Sequence, residues 1–202
     1  MSPGSDRVLV QERLVDVSAL QSLAHACDPA LCRDSGSCCA CYDVWIGDVE
    51  RERILALLPH ARRLAGRLPS DPGEIVRQIG PGAYALRRDD AGLCTLAYRA
   101  PGGEVLCSLH SAALERGLAP DRVKPESCTL WPLSLTSSDP PVLSVHEDGF
   151  SFPCNVPREG ASGSLDPGVA RTVRAAFGEE FLRELQRLVA ETGSRRGRDD
   201  RT

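Results

Sequence analysis

Between Asp48 and Leu68 the apolar residues Ile54, Leu57, Leu58, Ala61, Leu64, Ala65 and Leu68 recur three and four positions apart, with charged residues between them. That spacing predicts an amphipathic helix with Asp48 as its N-cap. Pro59 lies inside the run, where it lacks a backbone donor and crowds the preceding turn, so a kink or two consecutive short helices are expected. A second helical stretch opens at Asp166-Pro167, a cap followed by proline at the first helical position, and continues to about Ala190. Its buried stripe is Val173, Ala176, Phe177, Phe181, Leu182, Leu185 and Leu188, and Gly178 divides it in two. A short helix over Ser108 to Arg116 is closed by Gly117.

Elsewhere the pattern shortens. Residues 8 to 17 alternate loosely and read as an N-terminal strand or extended arm, followed by a short helical turn at Ser18 to Ala26. Strand-like pieces at Tyr84 to Arg87, Leu93 to Tyr98 and Glu104 to Leu106 are separated by Asp90-Ala91-Gly92 and Pro101-Gly102-Gly103, which have hairpin chemistry. Further strands are expected at Thr129 to Leu135 and Val142 to His146, around the Ser137-Ser138-Asp139-Pro140-Pro141 turn. From Cys27 to Asp43 no apolar period runs at all, which predicts an irregular loop. Together these elements predict an α+β fold, a small antiparallel sheet with metal-bearing loops flanked by helices. The expected organisation is one domain over residues 1–191 and a disordered tail over 192–202, which carries no apolar residue.

Composition narrows the function classes. The chain has 202 residues, 42% of them hydrophobic, enough for a core that does not need a metal merely to exist. A net charge of -4 gives no electrostatic case for nucleic acid, and no apolar run nears the length of about 20 residues that spans a bilayer. The opening MSPGSDRVLVQER has no basic segment followed by an apolar core, so a cytoplasmic, reducing compartment is expected. In that setting nine cysteines point to metal rather than disulfides, and the odd count already leaves one thiol over in any all-disulfide scheme.

The cysteines are unevenly spread. Cys27, Cys32, Cys38 and Cys39 crowd into the irregular loop with Cys41 just behind, while Cys94, Cys107, Cys128 and Cys154 follow at long intervals. All-sulfur donor sets suit zinc or an iron–sulfur cluster over magnesium or calcium, and at four thiolates per site eight cysteines fill two sites. The spacing fits neither the paired knuckles of zinc fingers nor the ferredoxin run, so it leaves the metal open. Each loaded thiolate set is anionic, which makes Arg33, Arg99 and Lys124 candidate counter-charges. Trp45 and Trp131 read as core residues near the site, and His110 as a capping or surface residue. No phosphate loop, dinucleotide fingerprint, HExxH pattern or Cys-His nucleophile signature is present.

The stretch CDPALCRDSGSCC, then CTLAYRAPGGEVLCSLHSAALERG, KPESCTLWPLSL and FPCNVP, resembles in order and context the YkgJ-like cysteine-cluster family of zinc- or iron-chelating proteins. The likeness covers roughly Cys27 to Pro157, KPESCTLWP being its most specific piece, and FGEEFLRELQRL is similar to the helix that follows the cysteine core. By position Cys27, Cys32, Cys38, Cys39, Cys94, Cys107, Cys128 and Cys154 match the family cysteines, and Cys41 has no counterpart. The resemblance implies cysteine-bound metal at one or two centres, an iron–sulfur cluster in preference to zinc. Distant relatives include flagellin lysine N-methylases, which adds the alternative of a cluster-dependent redox or protein-modifying enzyme such as a methylase-like activity; a zinc-stabilised structural or adaptor protein with a protein partner is a separate alternative.

Overall fold

A computed structural model describes residues 6–33, 37–40, 43–159 and 163–199, with side chains to 192. The fold is α+β, and the chain divides into two compact units, one formed by residues 1–27 with 130–202 and the other by 28–129.

The discontinuous unit begins with a hairpin where a single strand or arm is expected: β1 (Arg7–Val10) and β2 (Arg13–Asp16) pair antiparallel. Gln11 and Glu12 turn between them with φ of 42° and 65°. Two consecutive left-handed residues make the tight turn whose twist suits a hairpin, here without glycine. The sheet order is β1-β2-β10-β9, with β9 at Leu133–Leu135 and β10 at Val142–Val145. It is not wholly antiparallel, since β10 runs parallel to β2, pairing Val142 with Leu14.

Val10, Val15, Leu133 and Leu143 from this sheet join α1 (Val17–Gln21) and α5 (Pro167–Asp199) in one core. The α5 stripe is as the pattern predicts: Val173, Phe181, Leu182 and Leu185 are buried, with Ala176, Phe177 and Leu188 packed beside them. Burying each such side chain contributes about 1.5–3 kcal/mol. Gly178, at φ 88° and ψ 174°, breaks α5 as its position suggests, and the backbone is helical on to Asp199. Asp166 opens α5: its Oδ1 accepts the amides of Gly168 (2.8 Å) and of His25 (3.0 Å) in β3 (Leu23–His25). At Gly168 a Cβ would strike the His25 carbonyl oxygen, so the helix start approaches β3 only because that residue has no side chain. β3 in turn pairs antiparallel with β11 (Asn155–Pro157).

The contiguous unit is built on α2 (Asp48–Leu64), which runs without interruption through Pro59 instead of breaking there. Gly47, not Asp48, is its N-cap, and Glu50 reaches back to take the Gly47 amide at 3.0 Å. Asp48 instead accepts the Tyr84 hydroxyl at 2.9 Å. Ile54, Leu57, Leu58, Ala61, Ala65 and Leu68 are buried against Leu109 and Ala112 of α3 (Ser108–Glu115). A three-stranded antiparallel sheet, in the order β4 (Trp45–Gly47), β6 (Ala83–Leu86), β5 (Val76–Gly80), adds Ile46, Val76 and Leu86 to this core. β7 (Ala97–Arg99) and β8 (Val105–Cys107) form a hairpin, and Gly92 and Gly103 turn at φ 78° and 89° where turns are expected. Thr129 and Leu130 do not start a strand: they belong to the helical turn α4 (Glu126–Leu130). Trp131 is buried as expected, but Trp45 is 71% exposed, because β4 turns Ile46 inward and its neighbours outward.

Candidate metal centre

Backbone hydrogen bonds gather the cysteines of the contiguous unit. The loop carrying Cys32 is stitched to β8 through its carbonyl, which accepts the Val105 amide at 2.7 Å, and Arg33 forms a bridge with Glu104 next to it. Cys38 and Cys39 lie on a 3₁₀ turn, Cys38–Ala40. Buried Ser37 supports that turn by accepting the Cys39 amide on its hydroxyl, at 3.2 Å. The Cys39 carbonyl then accepts the Cys94 amide at 2.9 Å. The Cys94 carbonyl accepts the amide of Ala97, the residue paired with Cys107 across the β7–β8 hairpin. Cys94, Cys107 and Cys128, the last on α4, pack against the core of the unit. Three sequence-distant segments and a helix therefore bring thiols to one region.

Charge ties the group together around Lys124. Burial draws the Lys124 ammonium pKa down, but Cys107, Cys128, Cys38 and Cys39 push it up by more, leaving it above its ordinary value. Within the Cys38–Cys39 pair, the hydrogen bond between the two sulfurs makes Cys38 ionise more readily, and Lys124 adds to that effect against burial. The same bond, with burial, holds the Cys39 thiol well above its ordinary value. Burial, reinforced by Cys107 and Cys128, pushes Cys94 up to about 12. A thiolate at Cys38 beside the retained Lys124 ammonium, with Cys39 and Cys94 neutral, is the arrangement electrostatics favours.

The expected counter-charges divide. Lys124 meets the thiols, while Arg33 pairs with Glu104 at 3.4 Å and Arg99 lines a cleft described below. Partial burial lowers the pKa of the His110 ring, and Lys124, within electrostatic reach, lowers it further. Two residues not singled out from the sequence prove structural. Arg88 donates to the Ala40 carbonyl at 3.4 Å and pairs with Asp43 at 3.3 Å, fastening the cysteine loop. Glu50 accepts the Glu126 amide at 2.8 Å and so seats the helix that carries Cys128. The Glu at the third helical position, after a possible cap, is the one signal that could have pointed to Glu50.

The other two matched cysteines belong to the discontinuous unit. Ala26 donates its amide to the Cys154 carbonyl at 2.9 Å, extending the β3–β11 ladder and bringing Cys27 and Cys154 to the same end of it. Beside them His25 Nδ1 lies 2.7 Å from Asn155 Oδ1, and burial lowers the pKa of that ring despite the contact. Cys41 lies outside the described residues.

All eight described cysteines are thiols, yet among the described residues no three His, Cys, Asp or Glu side chains stand in metal-coordinating geometry. Thiolates are the donor type that thiophilic metals take, and no coordination polyhedron is closed by them among the described residues. Neutral thiols have no attraction that would close it, whereas a bound cation supplies one and displaces their protons. Thr129, next to Cys128, also holds a buried hydroxyl with no hydrogen-bond partner among the described residues. A cleft of about 470 Å³ opens beside Cys94, between the end of α2 and β7. Compared with known proteins, the chain matches no family model, no curated protein and no solved structure. Among the described residues no helix is long and apolar enough to cross a membrane.

Proposed function

We propose that this protein binds a thiolate-held metal, an iron–sulfur cluster in preference to zinc, through Cys38, Cys39, Cys94, Cys107 and Cys128. The observation that carries this reading is that Cys38, Cys39, Cys107 and Cys128 all lie within electrostatic reach of the Lys124 ammonium, with Cys94 beside Cys107 and Cys128. Cys32, stitched to β8, is the sixth donor of the unit, and Cys27 with Cys154 are a donor pair of the other unit. Lys124 offsets part of the negative charge that such a site accumulates. A reducing compartment such as the cytoplasm is where these thiols persist, and a net charge of -4 gives nucleic acid no general attraction.

Anaerobic purification and reconstitution, with elemental analysis, absorption and Mössbauer spectra, test the reading. Stoichiometric metal with a sulfur-to-metal charge-transfer band is expected, reduced when Cys94, Cys107 or Cys128 is replaced by Ser. Protein with neither metal nor band after reconstitution would overturn it.

The cleft beside Cys94 favours a second reading, in which the metal supports redox or group-transfer chemistry, including modification of a protein side chain. A closed zinc site that only holds the fold has no use for such an opening. Metal-dependent turnover of a bound compound distinguishes the two.

A further inference from the structure

Adjacent cysteines do not ordinarily meet, because neighbouring side chains of an extended chain point to opposite faces. Cys38 and Cys39 depart from that rule: the backbone curls into the 3₁₀ turn Cys38–Ala40, and the two sulfurs are hydrogen-bonded to each other. Both residues are only partly buried, so a small solute can reach them. The turn is held from both sides. The Ser37 hydroxyl and carbonyl accept the amides of Cys39 (3.2 Å) and Ala40 (2.9 Å), and the Cys39 carbonyl accepts the Cys94 amide at 2.9 Å. Two thiols kept in contact by a fixed backbone are an oxidisable cysteine with its resolving partner beside it. The bridge they can form is a labile one. Cα atoms joined by a trans peptide lie about 3.8 Å apart, short of the roughly 4.4–6.8 Å usual for a disulfide, and strained disulfides are the readily reduced ones.

We propose that Cys38 and Cys39 form a reversible oxidation site, closed to a vicinal disulfide by a hydroperoxide and reopened by a dithiol. In the first step one sulfur gives two electrons to a peroxide oxygen: the S–H and O–O bonds break, an S–O bond forms, and the remainder of the peroxide leaves with the proton as water or an alcohol. The neighbouring thiol then attacks that sulfur, the S–O bond breaks, and the oxygen leaves with the second proton as water. A dithiol returns the two hydrogens by thiol–disulfide exchange and is itself oxidised to a disulfide. Closure withdraws two of the five thiols proposed to hold the metal, which makes loading dependent on the redox state. That regulation rests on the metal-binding reading, whereas closure itself does not.

The test treats the reduced, metal-free full chain, with chelator present, with one equivalent of hydrogen peroxide. The remaining thiols are alkylated, and tryptic peptides are sequenced by mass spectrometry. The peptide from Asp34 to Arg51 holds Cys38, Cys39 and Cys41, and it should lose two hydrogens and carry a single alkyl group, on Cys41. Dithiothreitol before alkylation should restore all three alkyl groups. The bridge should persist in Cys41→Ser and be lost in Cys38→Ser and in Cys39→Ser. Alkylation of both Cys38 and Cys39 after peroxide, a bridge from either to Cys41, Cys94 or Cys107, or oxidation to a sulfinic acid that the dithiol does not reverse overturns the proposal. The oxidised and the reduced chain are then each reconstituted anaerobically with metal. Uptake should be lost on closure and return with dithiothreitol, and equal uptake by both forms overturns the regulation. A bridge in protein that takes up no metal when reduced would sink the metal reading alone, and metal uptake without any bridge would sink this one alone.

Discussion

Replacing Cys94 by Ala should remove a specific alkaline weakness of the metal-free protein. Burial beside Cys107 and Cys128 raises the Cys94 thiol from 9.0 to about 12, so between those values the unfolded chain loses this proton while the folded chain keeps it. The sign follows from the raised folded-state value: the contribution favours folding fully below pH 9.0 and is lost as pH rises towards about 12. Relative to pH 8, linkage gives a loss of about 1 kcal/mol at pH 10 and about 3 kcal/mol at pH 11, tending to about 4 kcal/mol for the full shift. Urea unfolding of wild type and Cys94→Ala, with reductant and chelator at pH 8, 10 and 11, measures the difference, and Trp45 fluorescence reports on the unit that holds Cys94. Groups away from Cys94 titrate alike in the two proteins and cancel, while its neighbour Cys39, raised in part by Cys94, shifts in the same sense in the variant. The variant's stability relative to wild type should improve by about these amounts as pH rises. A gap that stays constant within about 0.5 kcal/mol from pH 8 to 11 would refute the burial of this thiol among its neighbours.

Further outcomes follow from particular contacts. Lys124→Met should shift the midpoint of Cys38 alkylation by iodoacetamide to higher pH, by about one unit, because a nearby cation that favours the thiolate is gone; an unchanged or lower midpoint contradicts the placement of Lys124. Gly168→Ala should destabilise the discontinuous unit by about 1–3 kcal/mol, since the new Cβ meets the His25 carbonyl, and equilibrium unfolding with wild-type stability would show that α5 does not start against β3. Phe181→Ala should cost about 3–5 kcal/mol in the same unit, as Phe181 is fully buried and stacked with Phe177 at 4.7 Å; calorimetry showing less than about 1 kcal/mol would place it outside the core.

The long periodic segments were legible because helical spacing and burial share one cause. Ile54, Leu57, Leu58 and Ala61 on α2, and Phe181, Leu182 and Leu185 on α5, are apolar where one face meets a core. The glycine turns were legible for a backbone reason, shown by the left-handed Gly92, Gly103 and Gly117. Where one segment's conformation depends on another, the sequence was silent. Gln11 and Glu12 carry no glycine signal for their hairpin, and Trp45 sits on a three-residue strand with too few positions to reveal its buried face. Thr129 and Leu130 continue into an apolar run that reads as strand, while the Glu50 carboxylate, 76 residues earlier, accepts the first amide of the helical turn that holds them. Of the candidate site, the closeness of Lys124 to the thiols was legible from its place four residues before Cys128. The division of the eight cysteines into six in one unit and two in the other was not, because it depends on where the chain closes each unit.

That division gives protein synthesis an order. The unit holding Cys32, Cys38, Cys39, Cys94, Cys107 and Cys128 is an uninterrupted stretch, 28–129, whereas β2 waits for β10 and β3 for β11. Residues from 130 onward emerge only after it, so the thiol-bearing unit can complete its backbone stitching, Cys32 to Val105 and Cys39 to Cys94, while its counterpart is still half made.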